Sequence, residues 1–451
     1  MEKKIKYLML LVVIIIIILI IILVLLKKLE KKENLNSIDD EIYYSGEDIH
    51  FRSNIEKVTS KYEYFDTITC VEKYINTLNS LNTANYDENR NEVKETIEIY
   101  KENFYDLLDS KYKKQYNLTI ENLDSKFSKY YKNLYFNVES MYVLDSEEEV
   151  AVYFVYGNLV DKDSKKTEEY GFVITRNTQN LTFSVLPYDY MKDKGYEEDK
   201  LGTLDLTELK GITVEQNEGN GYTSNAYDDE YISNYYFKVY KENLQYNTKG
   251  IYSKLSEEYK QKRFATLNEY EKYINSNFSE LVKCNLNQYN MVENEDETKY
   301  ICKDQFNNYY IFDEKNVGEY TILLDSYTTL DNEYAEKYNK ATNEEKVSMN
   351  ISKFFQMINC KDYNAAYKLL GENYKNNAFK TQSDFEKFIK SNLYSYNSVT
   401  LLSYSDKISG VYTYTVEIAN MENRSDKIIK MNIVMELKEG TEFELSFQII
   451  D

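Results

Sequence analysis

The 451-residue chain contains one histidine (His50), one proline (Pro187), no tryptophan, four cysteines and thirteen glycines. A single His excludes His-pair zinc sites and leaves any Ser–His or Cys–His mechanism resting on one side chain. His50 lies in an acidic segment without a partner for catalysis and reads as a solvated residue. Four cysteines in so long a chain make no disulfide scaffold. Cys284 and Cys302 stand at hairpin spacing, which leaves a bridge between them open, whereas Cys70 and Cys360 fall in apolar helical patterns and read as buried free thiols. Cations are also in deficit. Lys and Arg number 55 against 76 Asp and Glu, a formal charge of −21, which argues against nucleic-acid binding. Lys111, Lys113 and Lys114 form a small basic spot that reads as a helix end. Walker loops, dinucleotide glycine fingerprints, nucleophile elbows and HExxH are all missing, so no catalytic residue, cofactor or metal ligand is assigned.

What is abundant is apolar sequence near the start. Every residue from Leu8 to Leu26 is Leu, Met, Val or Ile. At about 1.5 Å per residue this run is roughly 28 Å long as a helix, close to the hydrocarbon thickness of a bilayer. It exceeds a signal-peptide core, and no alanine precedes Ala84 to suit cleavage, so an uncleaved anchor is expected. Lys3, Lys4 and Lys6 on one side nearly balance Lys27, Lys28, Lys31 and Lys32 on the other. The positive-inside rule is therefore almost tied, and the default is a short cytoplasmic tail (1–7), a transmembrane helix (8–26) and a large extracytoplasmic remainder. A charged stalk follows over 27–60. The first 33 residues carry +4, leaving −25 for the rest.

The remainder holds an internal repeat. Tyr105, Leu108, Tyr112 and Lys113 recur at the same spacing as Tyr252, Leu255, Tyr259 and Lys260, and as Tyr367, Leu370, Tyr374 and Lys375. Each set is followed by a second group: Phe127, Tyr130 and Tyr131; Tyr270, Tyr273 and Ile274; Phe385, Phe388 and Ile389. A period this long points to duplicated domains rather than a solenoid. The expected organisation is repeat 1 over 61–190, a Gly-containing linker over 191–226, repeat 2 over 227–330 and repeat 3 over 333–451. The third, of about 120 residues, is long enough to fold alone.

Within repeat 3, Val347, Ile351, Phe354, Phe355 and Ile358 recur at helical spacing. Tyr363, Ala366, Tyr367 and Leu370 mark a shorter helix that Gly371 is suited to stop. Ser383 with Glu386 reads as a capping box for a third helix, as Thr266 with Glu269 does in repeat 2. The period then changes to two: Tyr412, Tyr414, Val416 and Ile418; Met431, Ile433, Met435 and Leu437; Phe443, Leu445, Phe447 and Ile449. These are strands with one buried and one wet face. Leu181, Phe183 and Val185 end repeat 1 likewise, and Tyr320, Ile322 and Leu324 end repeat 2. The fold class is α+β.

This element order resembles the nuclear-transport-factor-two-like (cystatin-like) fold, which implies helices packed into a curved antiparallel sheet, three times in tandem. An N-terminal anchor followed by such domains is similar to assembly components of conjugative type IV secretion machinery in Gram-positive bacteria. The resemblance implies a non-enzymatic interaction protein of the cell membrane, with the bilayer, protein partners or self-association as its contacts. The alternative is an extracytoplasmic binding protein holding a wall fragment, peptide or lipid in one cone. An isomerase-like enzyme would need an acid or base inside the cone; Asp384 or a tyrosine is the only nominee, and nothing in the sequence directs either inward. Three acidic stretches invite a metal reading: Asp161-Lys162-Asp163-Ser164, Asp228-Asp229-Glu230 and Glu293-Asn294-Glu295-Asp296-Glu297. The first lacks the ligand position taken by Lys165 and the central Gly of a calcium loop, so all three read as solvated turns. Triplets such as those at Asn117 and Asn180 follow from the high Asn content. The repeat-equivalent tyrosines are expected to face their own sheet.

Overall fold

The change of hydrophobic period from 3.6 to 2 within each repeat sets its architecture: helices first, then an antiparallel meander. The computed structural model describes residues 56–82, 91–146, 149–187, 189, 221–293, 297–324 and 331–450. The expected tail and anchor (1–26), nearly all of the stalk, and most of the linker lie outside these residues. Among the described residues no helix is long and apolar enough to cross a membrane. The chain divides into two compact units with a boundary between Asn225 and Ala226.

In the first unit, β1 (Glu56–Lys57) leads into α1 (Lys61–Ser80), whose N-cap Ser60 accepts from the Glu63 N–H. Helices α2 (Asn91–Leu107), α3 (Ser110–Gln115) and α4 (Leu123–Phe127) follow. The sheet adds β2 (Leu134–Ser146), β3 (Val150–Asp161), β4 (Lys166–Asn177) and β5 (Thr182–Leu186), in the order β1-β2-β3-β4-β5. Here the expected wet face is missing. Both residue parities of the central strands are buried: Tyr153, Phe172 and Ile174 on the helix side, Val152, Phe154, Val173 and Thr175 on the other. The near-continuous apolar run of β3 is what two-sided burial requires. Leu181 also lies outside the strand, in a left-handed turn (φ 56°) that starts the hairpin return.

The second unit carries two such modules. Helices α5 (Asp229–Tyr246), α6 (Thr248–Lys254), α7 (Glu257–Arg263) and α8 (Leu267–Leu281) precede β6 (Leu286–Glu293), β7 (Thr298–Asp304), β8 (Tyr309–Asn316) and β9 (Glu319–Leu324). Helices α9 (Asp331–Lys340), α10 (Asn343–Asn359), α11 (Tyr363–Lys368), α12 (Glu372–Ala378) and α13 (Gln382–Asn392) precede β10 (Asn397–Ile408), β11 (Val411–Asn420), β12 (Ile429–Leu437) and β13 (Phe443–Ile450). Each sheet is a sequential antiparallel meander. In the last, Val347, Ile351, Phe354, Phe355 and Ile358 of α10 bury against Tyr414, Val416, Met431, Ile433 and Phe447, as the two periodicities require.

The repeated residues have a geometric meaning. Leu108, Leu255 and Leu370 each form an isolated parallel bridge to the last strand of their sheet, at Val185, Ile322 and Leu445. The next residue donates its N–H to that same strand residue's carbonyl: Asp109 at 3.0 Å, Ser256 at 3.1 Å and Gly371 at 3.0 Å. The first tyrosine sends its hydroxyl to a carbonyl in the next helical connection: Tyr105 to Leu118 at 3.2 Å, Tyr252 to Phe264 and Tyr367 to Phe379 at 3.0 Å each. The repeated lysine then sits over that tyrosine's ring, Lys113 at 4.4 Å, Lys260 at 5.2 Å and Lys375 at 5.5 Å. The first tyrosines are half-buried latches rather than interior residues; full burial falls to Tyr112, Tyr259, Phe127, Tyr270 and Phe385.

Two local expectations are corrected. Gly371 does not stop a helix; it is the N-cap of α12. That helix and its counterparts α3 and α7 have six or seven residues, too few to show a period. The capping residue of α13 is Thr381, which accepts from the Asp384 N–H, rather than Ser383, which is exposed in the first turn. The Thr266–Glu269 capping box is present as expected.

Thr266→Ala and Thr381→Ala should therefore each cost about 1 kcal/mol in urea unfolding of the full chain, with Ser383→Ala near neutral. Tyr367→Phe should cost about 1 kcal/mol, the worth of its hydrogen bond. Tyr367→Ala should cost distinctly more, since the ring contact to Phe385 and the seat of Lys375 go with it. Equal losses for the Phe and Ala variants would show that the ring contributes nothing.

Candidate interaction surface

Polar groups inside the modules are the first place to look for a site. Arg176 on β4 is 2% exposed. Its Nη1 lies 3.1 Å from Asp66 Oδ2 and 3.0 Å from the Tyr222 hydroxyl, and its Nη2 lies 2.9 Å from the Tyr153 hydroxyl. Such partners offset the cost of burying a charged guanidinium. In repeat 2, Glu314 accepts hydrogen bonds from Tyr236, from Tyr300 at 3.4 Å and from the Gly318 N–H at 3.1 Å. Apart from Arg176 Nε, which is buried without a hydrogen-bond partner, both constellations are absorbed by internal partners. In repeat 3 the space between helices and sheet is filled by Phe354, Phe379, Phe385 and Phe447.

Another set of titratable groups joins repeats 2 and 3. Phe306 stacks on Tyr396 with centroids 3.7 Å apart and planes at 3°. The Tyr396 hydroxyl donates to the Glu280 carbonyl at 3.0 Å and lies 3.5 Å from Cys284 Sγ. Lys361, 7% exposed with φ 62°, places Nζ 3.8 Å from the centre of the other face and donates to the Ser395 carbonyl. Arg263 and Tyr273 both donate to the Cys360 carbonyl, and Arg263 Nε is 3.5 Å from Asp362. All four cysteines are free and buried, so Cys284 and Cys302 form no bridge. Burial raises their thiols, to about 12 for Cys284 and about 11 for Cys302, which makes them poor nucleophiles.

The nominated residues stay apart from these groups. Asp161 caps its own hairpin turn, accepting from the Asp163 and Ser164 N–H groups, with Lys165 at φ 56°. Asp228 is the N-cap of α5, and Asp229 and Glu230 lie in its first turn. Of the third acidic stretch, residues 294–296 lie outside the described residues, and Glu297 pairs with Lys299 at 2.6 Å. His50 also lies outside them. Asp384 is exposed at the start of α13. Lys111, Lys113 and Lys114 belong to the short helix α3. Among the described residues no cluster of His, Cys, Asp or Glu is arranged to hold a metal ion.

What stands out is a surface. Two adjacent rows run across the outer face of the third sheet, Ser405–Thr413–Val434–Ser446 and Ser403–Thr415–Asn432–Gln448. They contain no charge, and they line a cleft of about 670 Å³. Charged pairs flank them, Glu417–Lys430 at 3.4 Å on one side and Glu436–Lys438 at 2.9 Å on the other. Seven of the eight read in the sequence only as polar outward positions, and Val434 is the one apolar member, 37% exposed; register alone aligns them. No family model matches the chain, and no curated protein matches it.

Lys361 gives a pH test of the seam. Burial, the largest influence, lowers its ammonium to about 8 against an ordinary 10.5, although Glu280 and Glu422 pull the other way. Below pH 8 both folded and unfolded states hold the proton and the full desolvation cost applies. Between pH 8 and 10.5 the folded state releases it first, so this group's contribution to stability rises with pH. The buried thiols act oppositely above pH 9, so the comparison to make is with Lys361→Met. From pH 7 to 10 wild type should gain on that variant by up to about 3 kcal/mol in urea unfolding. A gap independent of pH would mean the ammonium is solvated.

Proposed function

We propose that the chain is a membrane-anchored, extracytoplasmic interaction protein without enzymatic activity, built of three nuclear-transport-factor-two-like repeats. The observation that carries this reading is the contrast between interior and surface. The buried Arg176 and Glu314 are held by internal partners and the third interior is packed with aromatic rings, while an uncharged sheet face lies outward in a chain of net charge −21. The thrice-repeated latch supports the tandem-fold reading. The run from Leu8 to Leu26 supports the anchor, and the architecture is similar to that of conjugative secretion components, which work by docking.

In-cell crosslinking followed by mass spectrometry of the full-length chain tests the reading. Envelope proteins or copies of the chain should be the adducts; a tightly retained small molecule with no protein adduct would instead support a binding protein. Protease added to intact cells should remove the C-terminal modules while a tag before Lys3 survives. Protection of those modules until lysis would place them on the cytoplasmic side.

A further inference from the structure

The two edges of each sheet are treated differently. The last strand is covered by the latch; in repeat 3, Leu370 bridges Leu445, and the Tyr374 hydroxyl takes the Phe447 carbonyl. Among the described residues the first strand is covered in repeat 1 alone. There Glu56 and Lys57 pair antiparallel with Val143 and Tyr142, and the Val58 N–H donates to the Met141 carbonyl at 3.0 Å.

The equivalent positions in repeat 3 can be assigned. Asn79 of α1 grips the start of β2, with Leu134 N–H to its Oδ1 at 2.7 Å and its Nδ2 to the Leu134 carbonyl at 2.9 Å. Asn359 of α10 grips Asn397 on β10 in the same way, at 2.8 and 3.0 Å. Four residues beyond each gripped residue comes a bulge, Val138/Ser140 in one strand and Leu401/Ser403 in the other. Counting on, Met141, Tyr142 and Val143 correspond to Tyr404, Ser405 and Asp406. Among the described residues β10 pairs only with β11, and the segment before α10 is the helix α9 rather than an added strand. Beside this open stretch stand Leu402, 48% exposed, and Ile408, 67% exposed. A long open edge flanked by exposed aliphatic residues is a template for strand pairing.

We infer that β10 pairs antiparallel with β10 of a second copy, joining two third-repeat sheets across a two-fold axis. Identical edges meet isologously, so the contact closes at two chains and covers Leu402 and Ile408 of both. The formal charges of β10, Asp406 and Lys407, cancel, so the strand escapes the repulsion that −21 imposes on the chain as a whole. The open edge β6 is a poorer candidate, because it runs into Glu293, Glu295, Asp296 and Glu297. This inference deepens the interaction reading by naming a partner.

The test uses full-length protein in its membrane. The native thiols are buried, so introduced cysteines report without background. Under mild oxidation Leu402→Cys or Ser405→Cys should give a linked species of twice the chain mass, and Gln448→Cys on the far strand should not. Adding Ile408→Lys should reduce that species at least tenfold with the thermal midpoint unchanged, since Ile408 is exposed. Absence of the linked species at both edge positions overturns the inference, as does linkage through Gln448, which would mean packing through the sheet face. Linkage of the edge cysteines to a different protein overturns self-pairing and leaves the interaction reading standing; a chain that yields no adduct here or in cells fails both.

Discussion

The structure depends on one recurring contact, the parallel bridge between a helix-terminal leucine and the last strand of the sheet. Leu108, Leu255 and Leu370 make it in the three modules. The bridge places the helical layer against the meander. It also fixes where the next short helix begins, because the following residue donates to the same strand residue and then serves as N-cap. Without the bridge the last strand would present an unpaired edge, and α3, α7 and α12, at six or seven residues, are too short to persist alone. The tyrosine and lysine around the leucine secure it locally, one through a hydroxyl-to-carbonyl bond and the other by lying over the ring.

The modules differ in what they do with buried polarity. Repeat 1 places a guanidinium among Asp66, Tyr153 and Tyr222. Repeat 2 places a carboxylate between two phenols. Repeat 3 holds a neutral amide, Asn350, against Tyr334 and Tyr338, and its buried charge lies at the seam with repeat 2, where Lys361 and Phe306 occupy opposite faces of Tyr396. That seam is polar enough that each of its members needs the others, since a desolvated ammonium without the ring and the Ser395 carbonyl would be strongly unfavourable. This is a physical reason for repeats 2 and 3 to form one compact unit.

Much of this fold is legible in the sequence because it is written in periodicity. The α10 face from Val347 to Ile358 and the alternation along β11, β12 and β13 are buried as the pattern requires. The repeat is legible too, but its meaning is not. Tyr367 reads as interior and is half-buried, because what recurs is a hydroxyl reaching Phe379, and hydrogen-bond partners leave no period. Short helices escape for the same reason, and Ser383 outranks Thr381 as a cap only because Glu386 makes the better-known pair. The two-sided burial of β3 was available in its unbroken apolar run, which alternation-based reading passes over. The uncharged face was not legible at all, since it exists only once four strands are set in register.

That last point bears on where function resides. A row such as Ser405–Thr413–Val434–Ser446 draws one residue from each of four strands, so no local sequence feature marks it. The same holds for the sheet edge. β2 and β10 share a gripping asparagine and a bulge at the same offset, yet among the described residues one edge is occupied and the other open. The difference arises in the segment before the first long helix, which runs as strand β1 in repeat 1 and as helix α9 in repeat 3. Similar sheets therefore present the same edge more than once, and the connecting segments differ in whether they cover it. Where the buried guanidinium of Arg176 and the carboxylate of Glu314 are held by internal partners, such a choice of exposed edge is the simplest way for similar modules to acquire different roles.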